Sequence, residues 1–484
     1  MQDWRCLNWS STAMMVPALF SDASSTLNAL PPSEQFYPPT VQPPEKALAL
    51  PRFFSRFIRN PLQALPRSVY TEPFVTYGKE RPLVTWVTDP QLLERILLKD
   101  VDQFPKTKLD RRVLTPILGD GILTAEGDSW RSQRKLASPI FRYTELLGFV
   151  PTIVDATEQL IEDWTRRGRE FSTDIEEVMT DTTFSVIART VLAGIDEDEA
   201  SAVKRETRTY LDRISWEVAA AMLQLPEAMW HPGKARMRSS ATKVRAIVHR
   251  LLDQRRAAHG GGNDLVSRMI GAHHSGAGAP MSDAMIVDNL TTFLFAGHET
   301  TAKALTWTLY LLARSPHWQD RLRDEVRHAI GSTRLGPGTI ERLPLTLRVL
   351  KEAMRLYPPA PVITRQSAED LNLDGTLIPK QSLIVIPIFV LHRHRRLWDD
   401  PDRFDPDRFL PENEAKYPRT QYMPFGYGPR ICIGSSFAIL EATAILATLL
   451  LSVRFEWDGR HEPEPVSRVT LRPKGGMPLI VRPL

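Results

Sequence analysis

The chain has 484 residues, 42% of them hydrophobic and 24% charged, an ordinary globular balance that allows a large buried core. Its net charge of +4 is spread along the sequence, so it does not point to nucleic acid but permits docking of an acidic protein. Two cysteines, Cys6 and Cys432, exclude a disulfide scaffold and any four-cysteine zinc or iron–sulfur site within the chain.

Residues 1–45 hold scattered serine and end in the proline-rich LPPSEQFYPPTVQPPEK. Proline at that density prevents helix and sheet, which predicts a flexible extension. Met14 and Met15 offer later starts, and Trp4 and Trp9 leave the segment a docking role. The longest apolar runs, 12–20 and 383–391, fall far short of the roughly 20 residues of a membrane span. No secretion signal is visible, so the expectation is a cytoplasmic protein without a transmembrane anchor.

Residues 46–484 read as one mostly helical unit. Helices are predicted over 127–141, 152–168, 175–194 and 198–222. Glycine-rich connections are expected at 259–263 and 272–280. From Ser282 the helical pattern runs without proline to Ser315, about 32 residues or about 48 Å, enough to cross a domain. Another helix, 343–357, stops at Pro358–Pro359. Asp374–Gly375 marks a hairpin, the run 383–390 a strand, and 434–452 a helix apolar nearly all round and therefore buried. The C-terminus reads as a hairpin turning at Gly475–Gly476. The fold class is mainly α with a minor β region (α+β).

The decisive segment is FGYGPRICIG, residues 425–434. An iron-binding thiolate needs a sulfur held deprotonated, and a helix N-terminus lowers a thiol's pKa. Cys432 precedes the buried helix, whose unpaired N–H groups are able to donate to sulfur. Gly426, Gly428 and Gly434 allow close approach of backbone to a flat cofactor, Arg430 suits a carboxylate at its edge, and Phe425 shields the sulfur. A nucleotide-binding reading fails for lack of a third glycine and of a βαβ context. A lone cysteine is normally a small buried hydrophobe, but here six positions (Phe425, Gly426, Gly428, Arg430, Cys432 and Gly434) resemble the haem-binding loop of the cytochrome P-450 family.

The resemblance extends over roughly residues 60–484 with its motifs in order, and implies one large α+β domain whose long central helix crosses the haem. On that helix AGHETT (296–301) resembles the family's oxygen-activation motif. It implies that Ala296 and Gly297 leave room for dioxygen and that Thr300 and Glu299 relay protons; His298 is a bystander. Glu352 and Arg355, one helical turn apart, with Arg408 of WDDPDRFDPDRF, resemble the family's structural triad. Trp130 and Arg134, then Arg365 and Arg430, match propionate contacts. Phe293, Val362, Ile363 and Met477 are the expected apolar pocket, which suits a lipophilic substrate.

The resemblance thus implies a haem-thiolate monooxygenase with haem b on Cys432, consuming dioxygen and two electrons per turnover. The stretch after Cys432 is too short for a fused flavin reductase, so a separate ferredoxin or flavodoxin with its NAD(P)H reductase is expected, with Arg131 and Lys135 as docking cations. A monomer is expected. The alternatives are a peroxide-using or rearranging haem-thiolate enzyme, which would not need the Glu299–Thr300 pair, and a non-catalytic haem sensor, for which no signalling domain is visible.

Overall fold

The computed structural model describes residues 35–484 apart from 79–83, 193, 223–224, 258–263, 272–280 and 374, and apart from the side chains of 215, 219 and 222. Cys6, Trp4, Trp9, the two glycine-rich connections and Asp374 therefore lie outside the described residues. Helices of seven residues or more are α1 (Leu50–Arg59), α2 (Lys108–Leu118), α3 (Gly127–Ala137), α4 (Val150–Arg167), α5 (Ile175–Thr190), α6 (Glu197–Met222), α7 (Lys234–Ala257), α8 (Leu265–Gly271), α9 (Asp283–Ala313), α10 (Pro316–Ile330), α11 (Pro344–Leu356) and α12 (Ser435–Ser452).

The long helix forms as predicted. The Ser282 side chain accepts from the Met285 N–H at its start, and the next proline is Pro316. From Ile286 to Ala313 almost every residue of α9 is buried, because α5, α11 and α12 pack around it. Each fully buried leucine there stabilises the fold by roughly 1.5–3 kcal/mol. Helix α12 is apolar on all sides and sits between α4 and α10. It is the one helix among the described residues long and apolar enough to cross a membrane, and most of it is buried inside this fold.

The sheets are small. Strands β1 (Phe74–Tyr77) and β2 (Val84–Val87) join β7 (Leu383–Ile386) and β4 (Ile363–Gln366) in the order β1-β2-β7-β4, with β2 and β7 parallel. Strand β3 (Phe171–Asp174) joins the C-terminal β8 (Val453–Trp457) and β11 (Pro478–Pro483) in the order β3-β11-β8. Two hairpins, β5 (Leu371–Leu373) with β6 (Thr376–Ile378) and β9 (Pro465–Ser467) with β10 (Leu471–Pro473), complete the β region.

Three expectations are corrected. The run after Ile386 is not strand: Pro387 breaks the ladder and Ile388–Leu391 form a helical turn. The C-terminal segment is not one hairpin: β10 pairs with β9, and β11 pairs with β8 and β3. Gly475 and Gly476, both at positive φ, carry the chain from one sheet to the other. The third concerns the extension. Residues 36–44 are extended, as their prolines dictate, but they are not free: Phe36 O accepts from Phe404 N–H, Pro39 O accepts from the Tyr357 hydroxyl, and Val41 is buried.

Candidate active site

The Cys432 loop is built by its own backbone. Gly426 and Gly428 take φ of +76° and +73°, and the Cys432 N–H donates to Phe425 O at 2.9 Å, which closes the loop. At Gly428 a side chain is impossible, since a Cβ would lie 1.9 Å from Leu97 O. Gly434 then caps α12. Burial pushes the Cys432 thiol up, while the Gly434 N–H and the Arg134 guanidinium pull it down. Cys432 is nevertheless exposed. None of residues 424–436 is fully buried, although they lead straight into the most apolar helix.

Helix α9 shows the opposite wall. Between Ile286 and Ala313 only Ala296, Gly297 and Thr300 escape burial, and their spacing puts them on one face. These are three of the positions expected over the iron. The Thr300 hydroxyl donates to Ala296 O at 2.8 Å, the local back-bond open to a threonine inside a helix. Gly297 has a packing reason as well: a Cβ there would lie 3.0 Å from Ile187 of α5. His298 is a core residue, buried against Phe184 with Nδ1 bonded to Leu294 O.

Glu299 is held by partners that no motif announces. Its Oε1 accepts from Arg472 at 2.5 Å and from the Thr470 hydroxyl at 3.0 Å, both in the β9–β10 hairpin. Burial alone would raise this carboxyl; Arg472, Lys303, His298 and Thr470 outweigh it and hold the group below the usual carboxylate range. Arg472 also pairs with Asp212 of α6 at 3.4 Å.

A third wall is cationic. Helix α3 carries Trp130 and Arg134 and is fixed to α9 by Asn289, which donates to Gln133 Oε1 at 2.8 Å. Arg430 stacks over the Trp130 ring at 3.9 Å and donates to Ala125 O and Glu126. Arg365 is buried on β4, and burial lowers its pKa. Arg134 makes no ion pair with a carboxylate among the described residues. Below them Glu352 and Arg355 form a fully buried bidentate pair at 2.7 and 2.8 Å, with Arg408 at 3.6 Å from Glu352. The expected triad is thus brought together.

The pocket residues are less closely gathered. Phe293 is buried one turn before Ala296, its ring 5.0 Å from Phe141, and Ile363 approaches Gly426. Met477 is buried and Val362 is exposed. None of the four lines the cavity of about 780 Å³ between α1, β1–β2, α2 and the end of α6. Of the two docking cations, Arg131 is already paired with Asp128 and Asp102.

A solvent-reachable thiol at a helix start, a helix whose buried stretch opens at Ala296, Gly297 and Thr300 alone, and an arginine-lined edge fit a flat, dianionic iron cofactor held by sulfur. The family model for cytochrome P-450 matches residues 64–480. The chain belongs to the cytochrome P-450 family. A cytokinin hydroxylase of Arabidopsis thaliana is 32% identical over 429 residues, covering 86% of this chain and 81% of that protein. Cyclooctatin synthase of Streptomyces melanosporofaciens is 33% identical over 370 residues, covering 76% and 78%. The crystal structure of a cytochrome P-450DA heme domain superposes with a TM-score of 0.79 at 25% identity, over 92% of this chain and 99% of that one. This P-450 is a haem-thiolate monooxygenase, and Cys432 is the cysteine placed to ligate the haem iron.

Proposed function

We propose that this P-450 hydroxylates a lipophilic substrate in the cytoplasm as a monomer, drawing electrons from a separate ferredoxin or flavodoxin and its NAD(P)H reductase. The observation that carries the reading is the one opening in the buried stretch of α9, at Ala296, Gly297 and Thr300. Bound haem supplies the oxygen chemistry, and a thiolate ligand favours oxygen–oxygen cleavage. The chain's own residues do the rest. Phe425 shields the sulfur, and Trp130, Arg134, Arg365 and Arg430 orient the cofactor through its carboxylates. The Thr300 hydroxyl stands on the open face as a proton donor. Glu299, ionised beside Arg472, accepts a proton arriving from solvent past the half-exposed Asp212 on the same arginine and, once neutral, passes it on towards the Thr300 hydroxyl. The aromatic cavity lined by Phe53, Phe54, Tyr77 and Trp86 suits entry of an apolar molecule.

The test is reconstitution with a surrogate ferredoxin and reductase against lipophilic compounds that shift the haem spin state. Consumption of NADPH matched by hydroxylated product supports the proposal. In Thr300→Ala, product is expected to fall roughly a hundredfold or more while NADPH is diverted to hydrogen peroxide, as loss of one proton donor predicts. Equal coupling in Thr300→Ala, or product formed only with added peroxide, would contradict it.

A further inference from the structure

The cavity of about 780 Å³ is lined by two kinds of side chain. One kind is aromatic. Phe53 stacks on Tyr77 with ring centroids 5.7 Å apart, and Tyr77 meets Trp86 edge-on at 6.4 Å. The Tyr77 hydroxyl already donates to Leu48 O at 2.9 Å, which leaves its ring to face an apolar molecule.

The other kind is cationic. Lys108 and Arg112 stand four residues apart on α2 and so share a face. Lys380 joins them from the turn before β7. That turn is fixed: the Lys380 N–H donates to Asp370 Oδ1 at 2.6 Å, and Gln381 takes a φ of +66°, uncommon for a residue with a side chain. Arg112 is held more firmly still. Its Nε donates to Glu217 Oε1 of α6 at 2.6 Å, and its Nη1 donates to Leu225 O. Its Nη2 is buried and has no partner among the described residues. A buried guanidinium N–H without an acceptor is costly, and an anionic oxygen in the cavity relieves that cost.

Charge points the same way. Among the described residues that line the cavity, Lys108, Arg112 and Lys380 face one carboxylate, Glu227. Glu217 offsets Arg112 from outside, and the lining still carries an excess of positive charge. The cavity also lies within reach of the cysteine loop. Gln366 lines it, and Ile363 on the same strand approaches Gly426. Three residues of strand span about 10 Å.

We propose that this cavity is an entry subsite for a lipophilic carboxylic acid. The carboxylate takes the remaining Arg112 N–H and is attracted by Lys108 and Lys380, while the chain packs on Phe53, Tyr77 and Trp86. The inference rests on the reading of this P-450 as a hydroxylase of lipophilic substrates, and narrows that class to acids.

The experiment is calorimetric titration of the haem-loaded protein with decanoate and with decanol, at about pH 7, where the acid is ionised. Wild type should bind decanoate roughly ten- to a hundredfold more tightly, the range expected for one hydrogen bond between charged groups. In Arg112→Gln the affinity for decanoate should fall to that for decanol, with decanol unchanged. Should that variant fold poorly because Glu217 loses its partner, the double variant Lys108→Met, Lys380→Met leaves the Glu217 pair intact. Its preference for decanoate should shrink by roughly two- to fivefold, as expected for exposed charges. Equal binding of acid and alcohol by wild type overturns the inference, and so does a preference that survives unchanged in these variants. Calorimetry needs no turnover. A protein that shows the expected preference yet forms no hydroxylated product with the surrogate redox pair fails the hydroxylase reading and not the acid subsite.

Discussion

Glu441 shows what a single buried acid does when no partner is provided. It lies on α12, fully buried, and among the described residues only the Thr301 hydroxyl, which already donates to Gly297 O, approaches it. Burial raises its carboxyl from 4.5 to about 8. The folded state thus holds a proton that the unfolded chain releases above about 4.5, so stability falls as pH rises from there towards 8. Glu441→Gln removes that loss. Its apparent Tm relative to wild type is expected to rise steadily between pH 5 and pH 8; a difference that does not change with pH would refute the assignment. Glu299 is the contrasting case, nearly as enclosed yet kept ionised by Arg472.

At the scale of elements, α11 matters for what it anchors. Arg355 is gripped by Glu352, and its remaining N–H groups donate to the carbonyls of His392, Pro401 and Arg403. One buried ion pair thereby ties the helix to the irregular chain that leads towards the Cys432 loop. Removing one partner strands the other charge, at roughly 3–5 kcal/mol. Glu352→Ala is expected to yield little haem-loaded protein, read as haem per purified chain; normal loading would refute this role. The elements themselves differ in how legible they were. Helix α9 was plain from Ser282 to Ser315 because its cap and its lack of proline are local. The run after Ile386 was misread because a short apolar stretch looks the same as buried strand or as helix. The C-terminal hairpin was misread because Gly475–Gly476 signals a turn but not its partner, and β11 pairs with β3, some three hundred residues earlier.

For the whole molecule, the sequence carried the site's chemistry better than its support. The Cys432 loop, the Ala296–Thr300 face and the Glu352–Arg355–Arg408 triad were all legible, because each is a compact pattern of unusual residue types. Arg472, Thr470 and Glu126 were not, since they reach the site only through contacts spanning long stretches of chain, such as Arg430 to Glu126 and Arg472 to Glu299. No spacing rule exposes such pairs. The proline-rich front forms no helix or strand over 36–44, and its packing was not legible, because Phe36 and Pro39 find their partners more than two hundred residues away.

The most direct test of the account is the absorption spectrum of the dithionite-reduced, carbon-monoxide-bound protein. Thiolate ligation by Cys432 predicts a strongly red-shifted Soret band, lost in Cys432→Ser. A band at the position of histidine-ligated haem in the wild type, or well-folded protein that binds no haem, would contradict it.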